Sequence, residues 1–237
     1  VADTGYRCAD EICGVSETSV KRARRVNNQA RIHPVFLGTD CAFFDQNTRE
    51  HAVTRNNDGE IWIAYCGSLS DSYDIPCLID AVRILNRSNV KLFIMGDGYK
   101  KDAFMAYAKE KNVNAVFTGR LTYEKMCGML CACDMTVNPI TMGSAASIMN
   151  KHADYAASGL PVINMQESSE YRKLVEDYEM GINCPNGCAE KVAEAMAMLI
   201  DHPDRRRTMG NNARKCAEEK FEREFTYKEL YDCILEK

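Results

Sequence analysis

Ile61-Trp62-Ile63-Ala64-Tyr65-Cys66-Gly67 is an unbroken apolar run closed by a glycine. Such a run reads as a strand buried on both faces, because a half-exposed strand would alternate apolar and polar residues. Downstream, Ile75, Leu78, Ile79, Val82 and Leu85 recur at helical spacing, so 75–87 is expected to be a helix. Val90 to Met95 is the next strand and ends at Gly96-Asp97-Gly98. The alternation then continues with a helix over 100–111 and a strand over 115–119. A helix over 123–131, a strand over 135–137 and a helix over 148–157 follow. Gly159-Leu160-Pro161-Val162-Ile163 turns into a fifth strand, 168–178 is helical, and Gly181-Ile182-Asn183 makes a short sixth strand. Helices over 188–200 and 204–219 complete the unit. Short buried strands alternating with amphipathic helices define an α/β fold. The expectation is a doubly wound, Rossmann-like parallel sheet with helices on both faces, spanning residues 60–202.

Outside that unit the chain changes character. Residues 47–59 are polar and Asn-rich, without apolar periodicity, and read as a linker. Ahead of them, Arg31 to Phe36 reads as a strand leading to Gly38-Thr39-Asp40, and residues 10–16 hold another element. The chain opens at Val1 with an element following almost at once, which reads as a piece of a longer protein or an engineered chain. Residues 203–237 are expected to form C-terminal helices.

The composition excludes several classes. The chain has 237 residues, enough for a full core without stapling. Its net charge is -4, with Lys and Arg scattered among Asp and Glu, so the basic stripe of a nucleic-acid binder is lacking. The short runs Lys21-Arg22-Ala23-Arg24-Arg25 and Arg205-Arg206-Arg207 read as solvated helix faces. The 12 cysteines include Cys66 and Cys77 among apolar neighbours, where they act as small hydrophobes. Cys127, Cys131 and Cys133 have no second matching pair and no nearby His, so no zinc pattern is complete. The apolar runs all fall short of the ~20 residues that cross a bilayer, and no signal peptide precedes them. A reducing cytoplasm is the expected setting.

Three strands end in glycine, at Gly67, Gly96 and Gly119. In doubly wound sheets the ligand lies beyond the carboxyl ends of the strands, where the strand order switches. Glycines there either let a ligand approach the backbone or simply serve tight turns. A hydride-transferring dehydrogenase is disfavoured, since the first strand is followed by no Gly-x-Gly-x-x-Gly with an acidic residue about 20 positions on.

The order of these stretches resembles the donor-binding domain of family-4 glycosyltransferases, of the GT-B fold. Tyr65-Cys66-Gly67-Ser68-Leu69 with Leu78-Ile79-Asp80-Ala81 is similar to the first strand, loop and helix of that domain. Gly96-Asp97-Gly98 and Phe117-Thr118-Gly119-Arg120-Leu121 match the ends of its second and third strands. Asp154-Tyr155-Ala156-Ala157-Ser158-Gly159-Leu160-Pro161-Val162-Ile163 is the most specific match. Residues 1–46 resemble the end of the acceptor domain and the crossing segment, including Pro34 to Asp40 with Phe43-Phe44. Asn138-Pro139-Ile140, Ser147 to Lys151, Gln166-Glu167 and Glu170-Tyr171-Arg172 resemble a subgroup of bacterial surface-polysaccharide assembly.

The resemblance implies one half of a GT-B enzyme, a retaining glycosyltransferase (hexosyl-transferring) that moves a sugar from a nucleoside diphosphate, UDP or GDP, to an acceptor hydroxyl. It implies no bound cofactor or metal, a glycan or lipid-linked acceptor held by the other domain, and peripheral membrane association of the full-length enzyme at the inner face. Without a metal, the leaving diphosphate needs backbone amides, a helix N-terminus and cationic side chains. Gly143-Ser144-Ala145-Ala146-Ser147 is a small-residue loop opening a helix, and Lys151 adds a charge one turn on. Ser147, Ile148 and Asn150 complete this set. The family's spaced pair of Glu residues falls at Ala146 and Asp154. Asp154 retains a carboxylate for the ribose hydroxyls, whereas Ala146 cannot hold the donor sugar. The family's frequent Arg and Lys after the first strand fall at Ser68 and Tyr73, which the resemblance places at the donor in their stead. Gly67, Gly96 and Gly98 are the glycines expected to meet the donor. Arg120 and Leu121 are placed for the nucleobase, although Arg120 could equally be a surface residue. Glu170 either touches the donor sugar or caps its helix. Catalytic residues are not assigned. Two other readings share the architecture: a non-catalytic nucleotide-sugar-binding module, which the loss at Ala146 favours, and a sugar-nucleotide 2-epimerase, whose catalytic carboxylates and His are not found here.

Overall fold

The structure is a computed structural model describing residues 2–55, 57, 59–144 and 147–235. Its first part is a small parallel pair, β1 (Glu11–Gly14) beside β2 (Arg31–Pro34), with α2 (Glu17–Val26) packed on it and α1 (Ala2–Arg7) packed on α2. The helix α3 (Cys41–Glu50) follows, its start fixed by Asp40, whose carboxylate accepts the N–H of Phe43 at 2.8 Å.

The main body is a six-stranded parallel sheet. In chain order its elements are β3 (Ile61–Cys66), α4 (Ile75–Leu85), β4 (Val90–Met95), α5 (Lys101–Glu110), β5 (Ala115–Gly119), α6 (Tyr123–Cys131) and β6 (Met135–Asn138). They continue as α7 (Asn150–Ala157), β7 (Val162–Asn164), α8 (Ser169–Asp177), β8 (Gly181–Asn183), α9 (Ala189–Asp201) and α10 (Pro203–Cys216). A π-turn (Ala217–Phe221), α11 (Arg223–Thr226) and α12 (Lys228–Leu235) close the chain. The spatial order β5-β4-β3-β6-β7-β8 reverses between β3 and β6, which is the switch point of a doubly wound sheet.

The unbroken run in β3 is buried because both of its faces are covered. Ile63 and Tyr65 pack with Leu78 of α4 and Met196 of α9, while Trp62 and Ala64 pack with Met126 of α6 and Phe221. Two apolar layers therefore sandwich one sheet, as the sequence predicts.

One stretch departs from the sequence reading. The polar segment read as a linker from residue 47 begins inside a helix, since α3 runs to Glu50. Asn47 is buried, its amide donating to the Phe43 carbonyl at 2.9 Å. Its polarity misleads because an amide satisfied within its own helix can be buried at small cost. The α3 helix also packs on α6, the carbonyl of His51 lying where a Cβ on Gly128 would fall.

Candidate functional site

The carboxyl ends of β3, β4 and β5 meet as three interlocked turns. Gly67 N–H donates to the Met95 carbonyl at 3.0 Å, Leu69 N–H to Asp97 at 2.9 Å, and Gly96 N–H to Gly119 at 3.0 Å. A Cβ on Gly96 would overlap the Gly67 carbonyl oxygen, and one on Gly98 would overlap that of Leu69. Gly119 has φ 71°, in the left-handed region. The two readings of these glycines are thus one fact: tight backbone packing removes side chains from the edge and leaves a cleft. That cleft holds about 540 Å³, and Gly67, Ser68, Gly96, Gly98, Arg120 and Leu121 all line it. These six expected residues, drawn from three separate loops, are brought together. Arg120 is exposed at the rim, with its guanidinium unengaged by any ion pair among the described residues.

The other side of the switch point is a buried polar cluster. Lys151 lies in the first turn of α7, and its ammonium nitrogen is fully enclosed although the residue as a whole is half-buried. No acceptor bonds it; instead it lies 4.1 Å from the centre of the Tyr73 ring and 5.0 Å from that of Tyr65. Burial without a counter-charge pulls its pKa down to about 7. The lid over it is the turn after β3, tied to the turn after β6: Asp74 N–H donates to Pro139 at 2.7 Å and Thr141 N–H to Ser72 at 3.1 Å. Tyr73, expected at the donor, therefore covers Lys151, and Lys151 faces this aromatic cage rather than the open cleft.

Asp154 follows on the same helix. One of its oxygens, Oδ1, lies 3.0 Å from the Tyr123 hydroxyl and 3.2 Å from that of Thr39, and the two hydroxyls are 2.9 Å apart. Burial raises its carboxyl above the usual range, while the hydroxyl bonds pull it back. Next to it, Tyr155 is fully buried and pins the end of β3: Cys66 N–H donates to its hydroxyl at 2.7 Å, and that hydroxyl reaches the Cys66 carbonyl at 3.1 Å. His152 is also buried, stacked 3.5 Å from Tyr171, and its Nδ1 accepts the Met149 N–H at 3.2 Å. Burial drives its pKa well below the ordinary value, so the ring is neutral.

The loop ahead of α7 is partly placed. Ser147 is buried, its hydroxyl 2.6 Å from Glu170 Oε2 and 2.8 Å from Ser168 Oγ. The other oxygen of Glu170 accepts the N–H of Glu17, at the start of α2, at 2.9 Å. So Glu170 joins the small first part of the chain to the loop before α7, in addition to lying in the first turn of α8. Ile148 is a core side chain, leaving only its backbone for a ligand, and Asn150 is exposed at the start of α7. Ala146, where the family's first Glu falls, lies outside the described residues.

Sequence reasoning missed Tyr65, Tyr155, His152 and a ladder of amides. Asn138, Asn164 and Asn183 are register partners at the ends of β6, β7 and β8, linked side chain to side chain at 2.9 and 2.8 Å. The signal was present, since three apolar strands each end in Asn. Among the described residues no group of three or more His, Cys, Asp or Glu could hold a metal ion, and no helix is long and apolar enough to cross a membrane.

A doubly wound sheet with a cleft beyond its strand ends is shared by many ligand-binding α/β proteins, and comparison with known proteins narrows the class to glycosyltransferases. Residues 46–216 match the family of glycosyl transferases group 1, and the chain belongs to that family. It is 28% identical over 131 residues to a GDP-mannose-dependent monoacylated alpha-(1-6)-phosphatidylinositol monomannoside mannosyltransferase of Corynebacterium glutamicum. That match covers 54% of this chain and 34% of the relative, so the aligned part spans about a third of the curated protein. Among solved structures, HepE of Anabaena in complex with UDP superposes with a TM-score of 0.84 at 15% identity, over 100% of this chain and 69% of that one. Sucrose-phosphate synthase of Thermosynechococcus elongatus gives 0.79 at 18% identity, over 99% and 60%. Those two likenesses speak for the fold.

Proposed function

We propose that this chain is the donor-binding half of a retaining family-4 glycosyltransferase, and that it holds the nucleoside diphosphate of a UDP- or GDP-sugar across the switch point between β3 and β6. The observation that carries the reading is the uncompensated ammonium of Lys151 at that switch point, beside a glycine-floored cleft. A buried cation without a partner is costly, and an anionic ligand would remove the cost. In this reading the base lies against Arg120 and Leu121, and the absence of side chains at Gly67, Gly96 and Gly98, beside Ser68, lets the ligand approach the edge closely. The ribose lies at Asp154, and the diphosphate lies at the start of α7 with Lys151 swung from beneath Tyr73. Glu170, now held by Ser147 and the start of α2, would exchange those bonds for the donor sugar. The role in bacterial polysaccharide assembly, the cytoplasmic setting and the lipid-linked acceptor belong to the same proposal. They draw support from the subgroup motifs and from the mannosyltransferase activity of the Corynebacterium relative.

Calorimetry tests the reading. UDP or GDP should bind the 237-residue chain, while glycosyl transfer should require the acceptor half. Absence of binding by both nucleotides, or transfer by this chain alone, would refute it. A non-catalytic binding module is the second reading, favoured by the protein bonds that already engage both oxygens of Glu170. Transfer by the full-length protein from labelled donor to extracted acceptor lipid would exclude it.

A further inference from the structure

The hydroxyl cluster around Asp154 joins three elements that the donor reading otherwise treats separately. Asp154 belongs to α7, on the ribose side. Tyr123 opens α6 directly after Arg120, Leu121 and Thr122, the turn on the base side. Thr39, 1% exposed, lies where the chain passes from its first part into the main sheet. Its backbone is paired with the returning C-terminal segment: Thr39 N–H donates to Phe221 at 2.8 Å, and Arg223 N–H to Thr39 at 2.9 Å. Tyr123 is held in place by Phe43, stacked at 6.1 Å, and by Phe44, edge-on at 6.5 Å.

Both hydroxyls address the same oxygen, Oδ1, and Oδ2 takes part in neither bond. The two hydroxyls are also 2.9 Å apart, so their two protons are shared over three contacts, and together they fix the plane of the carboxylate and favour its ionised form. They also leave the other oxygen as the one to meet a ligand.

We propose that Tyr123 and Thr39 are positioning residues for donor binding, orienting the Asp154 carboxylate so that Oδ2 receives the ribose hydroxyls. This rests on the reading of Asp154 as the ribose contact, and Asp154→Ala tests that reading on its own.

The experiment is calorimetry with UDP, GDP and inorganic pyrophosphate on the wild-type chain and on Tyr123→Phe, Thr39→Val, Thr39→Ser and Asp154→Ala. Each melting temperature is recorded alongside. Tyr123→Phe and Thr39→Val should each weaken the nucleotide that binds by about three- to tenfold and leave pyrophosphate unchanged. Thr39→Ser, which retains the hydroxyl, should restore wild-type affinity. Removing a hydroxyl raises the Asp154 pKa further, so the loss should grow as pH falls from 8 to 6, toward protonation of the carboxyl. A shift in melting temperature with nucleotide affinity unchanged would overturn the proposal, as would equal losses for nucleotide and pyrophosphate. If Asp154→Ala weakens the nucleotide while Tyr123→Phe and Thr39→Val do not, the positioning role falls and the ribose contact stands. If Asp154→Ala also leaves nucleotide affinity intact, both fall together.

Discussion

The two sides of the switch point are built on opposite principles. On the β3–β4–β5 side the cleft is backbone: interlocked turns, glycines without room for Cβ, and N–H groups already bonded to neighbouring carbonyls. On the β6–α7 side it is side chain: a buried ammonium without an acceptor, a carboxylate held by two hydroxyls, and a neutral buried histidine. The first side is complete without a ligand, so changing it should harm folding. The second carries an electrostatic debt, so changing it should alter binding and can even stabilise the fold.

The largest effect is expected on the backbone side. Gly96→Ala must push a methyl group into the Gly67 carbonyl oxygen, and neither backbone can yield without breaking the turns. Overpacking of this kind costs about 1–3 kcal/mol, at the upper end where backbone meets backbone, and is readable by urea denaturation. A variant with unchanged stability would show that this edge is softer than its geometry, and the contrast would collapse.

Lys151 should behave in the opposite way. Lys151→Ala should weaken UDP or GDP about ten- to a hundredfold while sparing the nucleoside, as expected for a charged hydrogen bond to phosphate. Equal losses for nucleotide and nucleoside would remove the phosphate role.

The pH dependence sharpens the point. The folded pKa of Lys151, about 7, lies below its unfolded value of 10.5, so between them the unfolded chain binds more protons. Stability from this residue is therefore lowest at and below pH 7 and recovers as pH rises toward 10.5. Lys151→Met, which replaces the charge with an apolar chain of similar length, should raise the melting temperature most at pH 6 and progressively less at pH 8 and 9. A stabilisation independent of pH would mean that the ammonium is not the source.

Smaller still is Arg120→Ala. An exposed rim guanidinium contributes little, so nucleotide affinity should fall only about two- to fivefold with no change in melting temperature. A much larger loss would move the base contact from backbone to this side chain. Chelation should have the smallest effect, with nucleotide affinity the same with and without EDTA. A clear loss would reveal a metal contribution that the sequence pattern does not predict.

Much of this molecule is legible in the order of its residues. Buried strands such as Ile61–Cys66 announce themselves because both faces must be apolar when helices cover both. The glycine edge is legible too, since the requirement for missing side chains is written in residue type, and it recurs at the ends of three successive strands. The glycine pattern points to the edge at Gly67 and Gly96, and the family resemblance adds Ser68, Gly98, Arg120 and Leu121, all of which line one cleft.

What the order of residues leaves undecided is where each polar group finds its partner. Lys151 sits one turn into a helix after a small-residue loop, as a phosphate ligand would, yet its orientation depends on Tyr65 and Tyr73 from a different part of the chain. Asp154 meets Thr39, 115 positions away, and Glu170 meets Glu17, 153 away. Asn47 looks solvated and is buried. Periodicity records which face of an element must be apolar, because burial is a property of the element itself. Hydrogen bonding and charge compensation are pairwise, and long-range pairs exist only once the sheet has brought its crossings, turns and helix starts together.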